Sequence, residues 1–260
     1  MIELDTVSKS YDGGSTWAVR DVSLSVRKGE ILALLGESGC GKTTTLKMVN
    51  RLVDLDKGRI LLDGDDIADR NPVDVRRQVG YVFQEIGLFP HMTAAENIGV
   101  APSLMGWSES EINAATKEMF DLTGLDYSDL RQRFPAELSG GQRQRIGVAR
   151  ALAAGSNIVL MDEPFGALDP ITRVQMQDDF RALHDKLKLT VILVTHDVTE
   201  ALTIADRVGV MYRGEIVALD LPEAIISNPQ HAYVEAIIKT TRRRFAKLLT
   251  SDSEGPRSNG

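Results

Sequence analysis

The apolar run Ile31 to Leu35 leads directly into Gly36-Glu37-Ser38-Gly39-Cys40-Gly41-Lys42-Thr43. Thr44 carries on into a stretch with helical spacing over residues 43–51, where Leu46, Val49 and Leu52 share one side. The octet matches G-x-x-x-x-G-K-[ST] without a gap, and it sits after a buried strand and before a helix, as that motif requires. Its glycines let backbone N–H groups curl around phosphate oxygens, and the helix N-terminus adds partial positive charge. Lys42 reaches the outer phosphates of a nucleoside triphosphate, while the Thr43 hydroxyl serves as a ligand for magnesium. Cys40 lies inside this loop, where backbone rather than side chain does the binding, so it reads as a tolerated variable position and not a catalytic thiol. Its setting of N–H groups beside Lys42 predicts a lowered thiol pKa, and a thiol whose alkylation blocks activity.

A second element has to hold the metal and activate water. Ile158-Val159-Leu160-Met161-Asp162-Glu163 is an apolar strand ending in two acids. Asp162, at the strand end, suits magnesium coordination through water. Glu163 is placed to orient or deprotonate the attacking water. Alone, such a pair reads equally well as solvated surface; beside the glycine loop it reads as the other half of one site.

The remaining pattern predicts the frame. In the first 30 residues Val22, Leu24 and Val26 alternate with Ser23, Ser25 and Arg27, the period of a half-buried strand in an antiparallel region. Asp63-Gly64 marks a turn after a short strand over 59–62. From about residue 93 to 152 the texture becomes helical. There Ser108 and Glu111 form a capping box, Ile112, Ala115, Met119 and Leu122 follow at helical spacing, and Gly124 stops the helix. Beyond Gly155, strands and helices alternate, with Met176, Phe180, Leu183 and Leu187 on one helix and Val198, Ala201, Leu202 and Ala205 on the next. Buried strands alternating with amphipathic helices predict an α/β protein with a parallel-sheet core. A last strand pair, 208–211 and 216–219, turns at Arg213-Gly214. The basic run 241–249 reads as a solvated helix end in preference to a membrane-surface contact, and a frayed polar tail is expected after Thr250.

Composition removes several classes. The hydrophobic share of 43% and charged share of 26% fit a globular protein. No run approaches the roughly 18 apolar residues of a membrane span, and the N-terminus lacks the basic-then-apolar order of a secretory signal. A single cysteine excludes an internal disulfide framework and fits a reducing compartment. The net charge of -7 argues against a broad nucleic-acid footprint.

Leu138-Ser139-Gly140-Gly141-Gln142, followed by Arg143-Gln144-Arg145, resembles the signature of ATP-binding-cassette (ABC) ATPases, and the resemblance runs through nearly the whole chain. Serine and two glycines opening a helix make another anion site of exposed N–H groups. The resemblance implies that Ser139, Gly140, Gly141 and Gln142 cap the terminal phosphate of ATP held by a partner subunit, with two nucleotides sandwiched head to tail. Gln84, in Tyr81-Val82-Phe83-Gln84, resembles the Q-loop glutamine that contacts magnesium and water. His196, in Val194-Thr195-His196-Asp197, resembles the switch histidine at the terminal phosphate. Ala167-Leu168-Asp169 resembles the D-loop, which puts Asp169 at the dimer interface, and Tyr11 resembles the aromatic that stacks on adenine. ATP and Mg2+ are thereby implied as cofactors, with Glu163, His196 and Gln84 catalytic and Thr43, Gln84 and Asp162 at the metal. The implied fold is a P-loop NTPase of ABC type over residues 1–240, with a helical signature subdomain over about 93–152 and a tail at 241–260.

Three kinds of P-loop protein compete: a transporter motor, a soluble cassette ATPase acting on nucleic acid or ribosomes, and a small kinase or GTPase. The signature and His196 count against the third. Chromosome and repair ATPases separate the glycine loop from the signature by coiled coils, yet the stretch from Lys42 to Leu138 is short and has no sustained heptads. Translation-factor cassettes usually carry two copies in one chain, and here there is one. Gly87-Leu88-Phe89-Pro90-His91-Met92-Thr93, the run from Asp162 to Arg173 and Asn71-Pro72-Val73 resemble osmoprotectant importer ATPases for glycine betaine, choline and carnitine. That implies a second cassette subunit (a homodimer), transmembrane permease subunits and, indirectly, an extracytoplasmic substrate-binding protein. It further implies no nucleic-acid partner and a peripheral place on the cytoplasmic face of the cell membrane. An importer for another small solute, such as an amino acid, stays open because a cassette never touches the cargo. Ending at residue 260, the sequence leaves no room for the tandem regulatory domains often fused behind such cassettes.

Overall fold

A computed structural model describes residues 1–251 of the chain. The first half runs β1 (Ile2–Lys9), β2 (Val19–Val26), β3 (Ile31–Leu35), α1 (Lys42–Val49), β4 (Lys57–Leu62), β5 (Asp65–Asp66), α2 (Pro72–Gln78), β6 (Val79–Val82), α3 (Ala94–Leu104) and α4 (Glu109–Leu122). The second half adds α5 (Tyr127–Leu130), α6 (Gly140–Leu152), β7 (Ile158–Asp162), α7 (Pro170–Leu187), β8 (Thr190–Thr195), α8 (Val198–Ile204), β9 (Arg207–Tyr212), β10 (Glu215–Asp220), α9 (Pro222–Ser227) and α10 (Ala232–Ser251).

The strands form two sheets, one in the order β2-β1-β4-β5 and one in the order β10-β9-β3-β8-β7-β6. The first is antiparallel throughout. In the second, β3 lies parallel to β8 and β9, β7 parallel to β6 and β8, and β10 runs antiparallel along the β9 edge. This is the α/β class the sequence predicts. β3 shows why its five apolar residues are needed. Ile31, Ala33 and Leu35 enter the core that holds residues of α3, α4, α6, α7 and α8, whereas Leu32 and Leu34 enter the core shared with the antiparallel sheet and α1. A strand covered on both faces has no position for a polar side chain.

Local chemistry sets the turns and helix starts. Asp63 and Gly64 have φ of 54° and 95°, and Arg213 and Gly214 have 50° and 86°, so both two-residue connections are hairpin turns with positive φ at each central position. The capping box at Ser108 and Glu111 is present, and a second one, Thr93 with Glu96, starts α3. Leu52 departs from expectation. Arg51 takes a φ of 49° after α1 has ended, so Leu52 turns away from the face of Leu46 and Val49 and is 45% exposed. Of the basic run, Arg242 and Arg243 are exposed on α10, and the side chains from residue 244 onward lie outside the described residues, as does the backbone of the expected polar tail at 252–260.

Candidate functional site

Gly36 to Gly41 bridge the end of β3 and the start of α1. Gly41 caps α1 at φ 112°, with no side-chain hydrogen bond to the first turn, so the helix's leading N–H groups stay open to an anion. The loop is crowded from outside: a Cβ at Gly36 would stand 2.4 Å from the Met211 carbonyl oxygen, and one at Gly41 2.3 Å from that of Ala18. Lys42 is buried, and its Nζ donates to the carbonyls of Gly36 at 2.7 Å and Glu37 at 2.9 Å. Two loop carbonyls thus anchor an ammonium that has little access to water.

The acidic strand end meets this loop. Thr43 Oγ1 donates to Asp162 Oδ1 at 2.9 Å, and the Tyr81 hydroxyl, from neighbouring β6, reaches Asp162 Oδ2 at 3.5 Å. Burial pushes the Asp162 carboxyl above the usual carboxylate range; the Thr43 hydrogen bond opposes this, and the Glu163 charge adds to it. Glu163 takes a φ of 46° and donates its N–H to the Val194 carbonyl at 2.9 Å, which turns its side chain toward the end of β8. Its Oε2 accepts from Gln84 Nε2 at 3.2 Å and lies 3.0 Å from His196 Nδ1. Lys42, Thr43, Gln84, Glu163 and His196 line one cleft of about 610 Å³.

Other residues singled out from sequence lie elsewhere. Tyr11 is 65% exposed at the rim, its hydroxyl 3.5 Å from Thr44 Oγ1. Ser139 caps α6 reciprocally with Gln142, at 2.9 and 3.2 Å. A Cβ at Gly141 would meet the Thr172 methyl at 2.9 Å, and Asp169 Oδ1 accepts from the Thr172 N–H at 3.1 Å. The signature turn and Asp169 therefore meet at Thr172, and none of them is among the residues that line the cleft.

Cys40 corrects the expected reactive thiol. It is buried, and that burial raises its pKa; Lys42, 3.8 Å away, acts in the opposite direction without prevailing. Desolvation of a thiolate outweighs a cation that is already committed to two carbonyls.

Three contacts carried no local signal in the sequence. Arg173 donates to the Leu168 carbonyl at 3.1 Å and pairs with Asp197 at 3.5 Å, tying the segment after Glu163 to the one after His196. Arg150 on α6 donates to the carbonyls of Ile86 and Gly87, each at 2.7 Å, and so holds the loop that follows Gln84. Tyr233 and Ile237 of α10 line the cleft itself. Beside the Gln84 loop opens a groove of about 480 Å³ with Phe83, Phe89, Leu104 and Met105 partly exposed along it.

A strand, glycine loop and helix facing an acidic strand end in a parallel sheet define the phosphate-loop class of nucleotide-binding folds. Within that class, the model of the ABC transporter family matches residues 19–166, more than half of the chain, and the chain belongs to that family. It is 49% identical over 244 residues to the choline transport ATP-binding protein OpuBA of Bacillus subtilis (strain 168), a match covering 93% of this chain and 63% of that protein. To the carnitine transport ATP-binding protein OpuCA of Listeria monocytogenes serotype 1/2a (strain 10403S) it is 49% identical over 247 residues, 95% of this chain and 62% of that one. The chain thus spans less than two thirds of the length of these relatives. Among solved structures, the dimeric post-hydrolysis state of the ATP-binding cassette MJ0796 bound to ADP and Pi matches with a TM-score of 0.76 at 30% identity, covering 85% of this chain and 99% of that one.

Proposed function

We propose that the chain is the ATP-hydrolysing motor subunit of an ABC importer for small quaternary amines such as choline, carnitine or glycine betaine. The observation that carries this reading is the meeting of Lys42, Thr43, Gln84, Glu163 and His196 in one cleft, with Asp162 hydrogen-bonded to Thr43. Gly36 to Thr44 receive the triphosphate, with backbone N–H groups and the Lys42 ammonium against its outer oxygens. Tyr11 offers its ring to the adenine from the rim. Glu163 takes or orients the proton of the attacking water, and Gln84 and His196, both bonded to the same carboxylate oxygen, keep it aimed.

The residues fit magnesium. Among the described residues no three His, Cys, Asp or Glu cluster as a self-sufficient metal site. A hydroxyl and one carboxylate 2.9 Å apart are the sparse, hard-oxygen set magnesium takes when phosphates supply the rest. Thr43 and Asp162 would hold the ion, with Gln84 beside them, and bound there it neutralises charge on the phosphate oxygens.

The signature turn does not line the cleft of its own chain, so it serves a second copy, and ATP closes two cassettes head to tail. The dimeric cassette holding ADP and Pi supports that assembly. Closure drives transmembrane permease subunits through the groove beside the Gln84 loop, where exposed aromatic and aliphatic side chains await an apolar partner. An extracytoplasmic binding protein brings the solute. No helix among the described residues is long and apolar enough to cross a membrane; in this reading the permease subunits hold the chain at the cytoplasmic face. The choline and carnitine relatives, at 49% identity, support the solute class.

The test is in two parts. Purified chain binds and hydrolyses ATP with magnesium, and Lys42→Ala weakens that binding about 10- to 100-fold, the worth of a charge-assisted contact. Reconstituted permease with choline- or carnitine-loaded binding protein then stimulates hydrolysis; stimulation by DNA or ribosomes instead rejects the importer reading.

A further inference from the structure

α10 begins beside the phosphate loop, and its first turn is held firmly. His231 Nδ1 accepts the Tyr233 backbone N–H at 3.1 Å. The Tyr233 ring stacks on Tyr212, with centroids 4.3 Å apart and planes at 28°, while the Arg213 guanidinium sits 5.1 Å from the Tyr212 ring centre. One face of α10 is buried through Val234 and Ile238, and the helix packs against α8. These contacts fix the position of the Tyr233 hydroxyl, which accepts a hydrogen bond from the Glu37 backbone N–H at 3.1 Å. The carbonyl of Glu37 accepts in turn from Lys42 Nζ at 2.9 Å. One loop residue is thus gripped at both ends of its backbone, by Tyr233 from outside and by Lys42 from within.

The second end of this arrangement also lies in the cleft. α8 starts directly after His196, capped by Asp197. α10 therefore rests on the helix behind His196 and on the loop that carries Lys42. Tyr233 makes no hydrogen bond to Glu163, His196 or Gln84.

We infer that Tyr233 is a positioning residue for the phosphate loop. Its hydroxyl holds Glu37 in the conformation that receives the triphosphate, and α10 acts as the strut between that loop and α8. The inference rests on the nucleotide-site reading above. It separates binding from chemistry: loss of the hydroxyl loosens the loop before ATP arrives, and leaves the groups around the attacking water as they are.

Tyr233→Phe keeps the ring and its stack on Tyr212. In the full chain it is expected to raise the KM and the equilibrium Kd for ATP with magnesium about three- to tenfold, the worth of one hydrogen bond. The kcat stays within about twofold of wild type, because no contact specific to the transition state is removed. Thermal melting is expected to be unchanged. Tyr212→Leu, which keeps the hydroxyl but removes its seat, moves KM the same way, and carries the test should the phenylalanine variant lose its melting transition. Wild-type KM and Kd in Tyr233→Phe, or a fall in kcat at constant KM, overturns the inference. Absence of ATP binding by the wild-type chain overturns the functional reading instead, and is seen before any variant is made.

Discussion

Glu163 and His196 stand at the ends of neighbouring parallel strands, with Oε2 and Nδ1 3.0 Å apart, and the same carboxylate oxygen also takes the Gln84 amide. One oxygen thus gathers the three side chains assigned to the chemical step. Glu163→Gln preserves shape and removes the proposed base. Turnover is expected to fall about 10²- to 10⁴-fold with ATP binding retained, and the ATP-bound dimer to accumulate. Phosphate release assays and size-exclusion with ATP and magnesium measure this, and wild-type turnover removes Glu163 from its role.

The crowding of the loop is testable apart from catalysis. Gly36→Ala places a methyl 2.4 Å from the Met211 carbonyl oxygen and 2.7 Å from Cys40 Sγ. Overpacking of this kind costs about 1–3 kcal/mol, so the melting temperature drops by several degrees and ATP affinity falls with it. An unchanged melt would show that β9 yields without strain.

Glu200 supplies a pH dependence. Burial pushes its carboxyl up from the ordinary 4.5 to about 7, with the Asp197 charge adding to the effect, and its Oε1 has no hydrogen-bond partner. Between those two values the folded chain holds a proton the unfolded chain has released, so this residue's contribution to stability declines as pH rises through that window. Glu200→Gln stays neutral throughout. Its unfolding free energy relative to wild type is therefore expected to improve by roughly 2–3 kcal/mol between pH 5 and pH 8. Urea titrations at the two pH values read this directly, and an equal difference at both denies Glu200 the effect.

Cys40, buried and with its pKa raised, is expected to be a slow target. Iodoacetamide labels the native chain at least about tenfold more slowly than the urea-unfolded chain at the same pH. Intact-mass time courses compare the two, and equal rates restore the reactive thiol.

The octet at Gly36 to Thr43, the hairpins at Asp63-Gly64 and Arg213-Gly214 and the capping box at Ser108 were legible from residue order, because each depends on neighbours a few positions apart. The apolar runs likewise announced strands covered on both faces. What residue order left undecided was every contact set by which strands lie side by side. β8 pairs with β7, which carries His196 to Glu163, and β9, far along the chain, pairs with β3, which carries Met211 onto Gly36. The Tyr233 hydroxyl meets a backbone N–H at Glu37, a contact that no spacing of side-chain types encodes. Cys40 departs from expectation because its solvation depends on what packs from elsewhere and outweighs the local charge, and Leu52 because α1 ends before it, at the positive φ of Arg51. Sequence alone determined which chemistry is present; the closing of distant elements upon one another decided which groups are dry, which are gripped and which face each other.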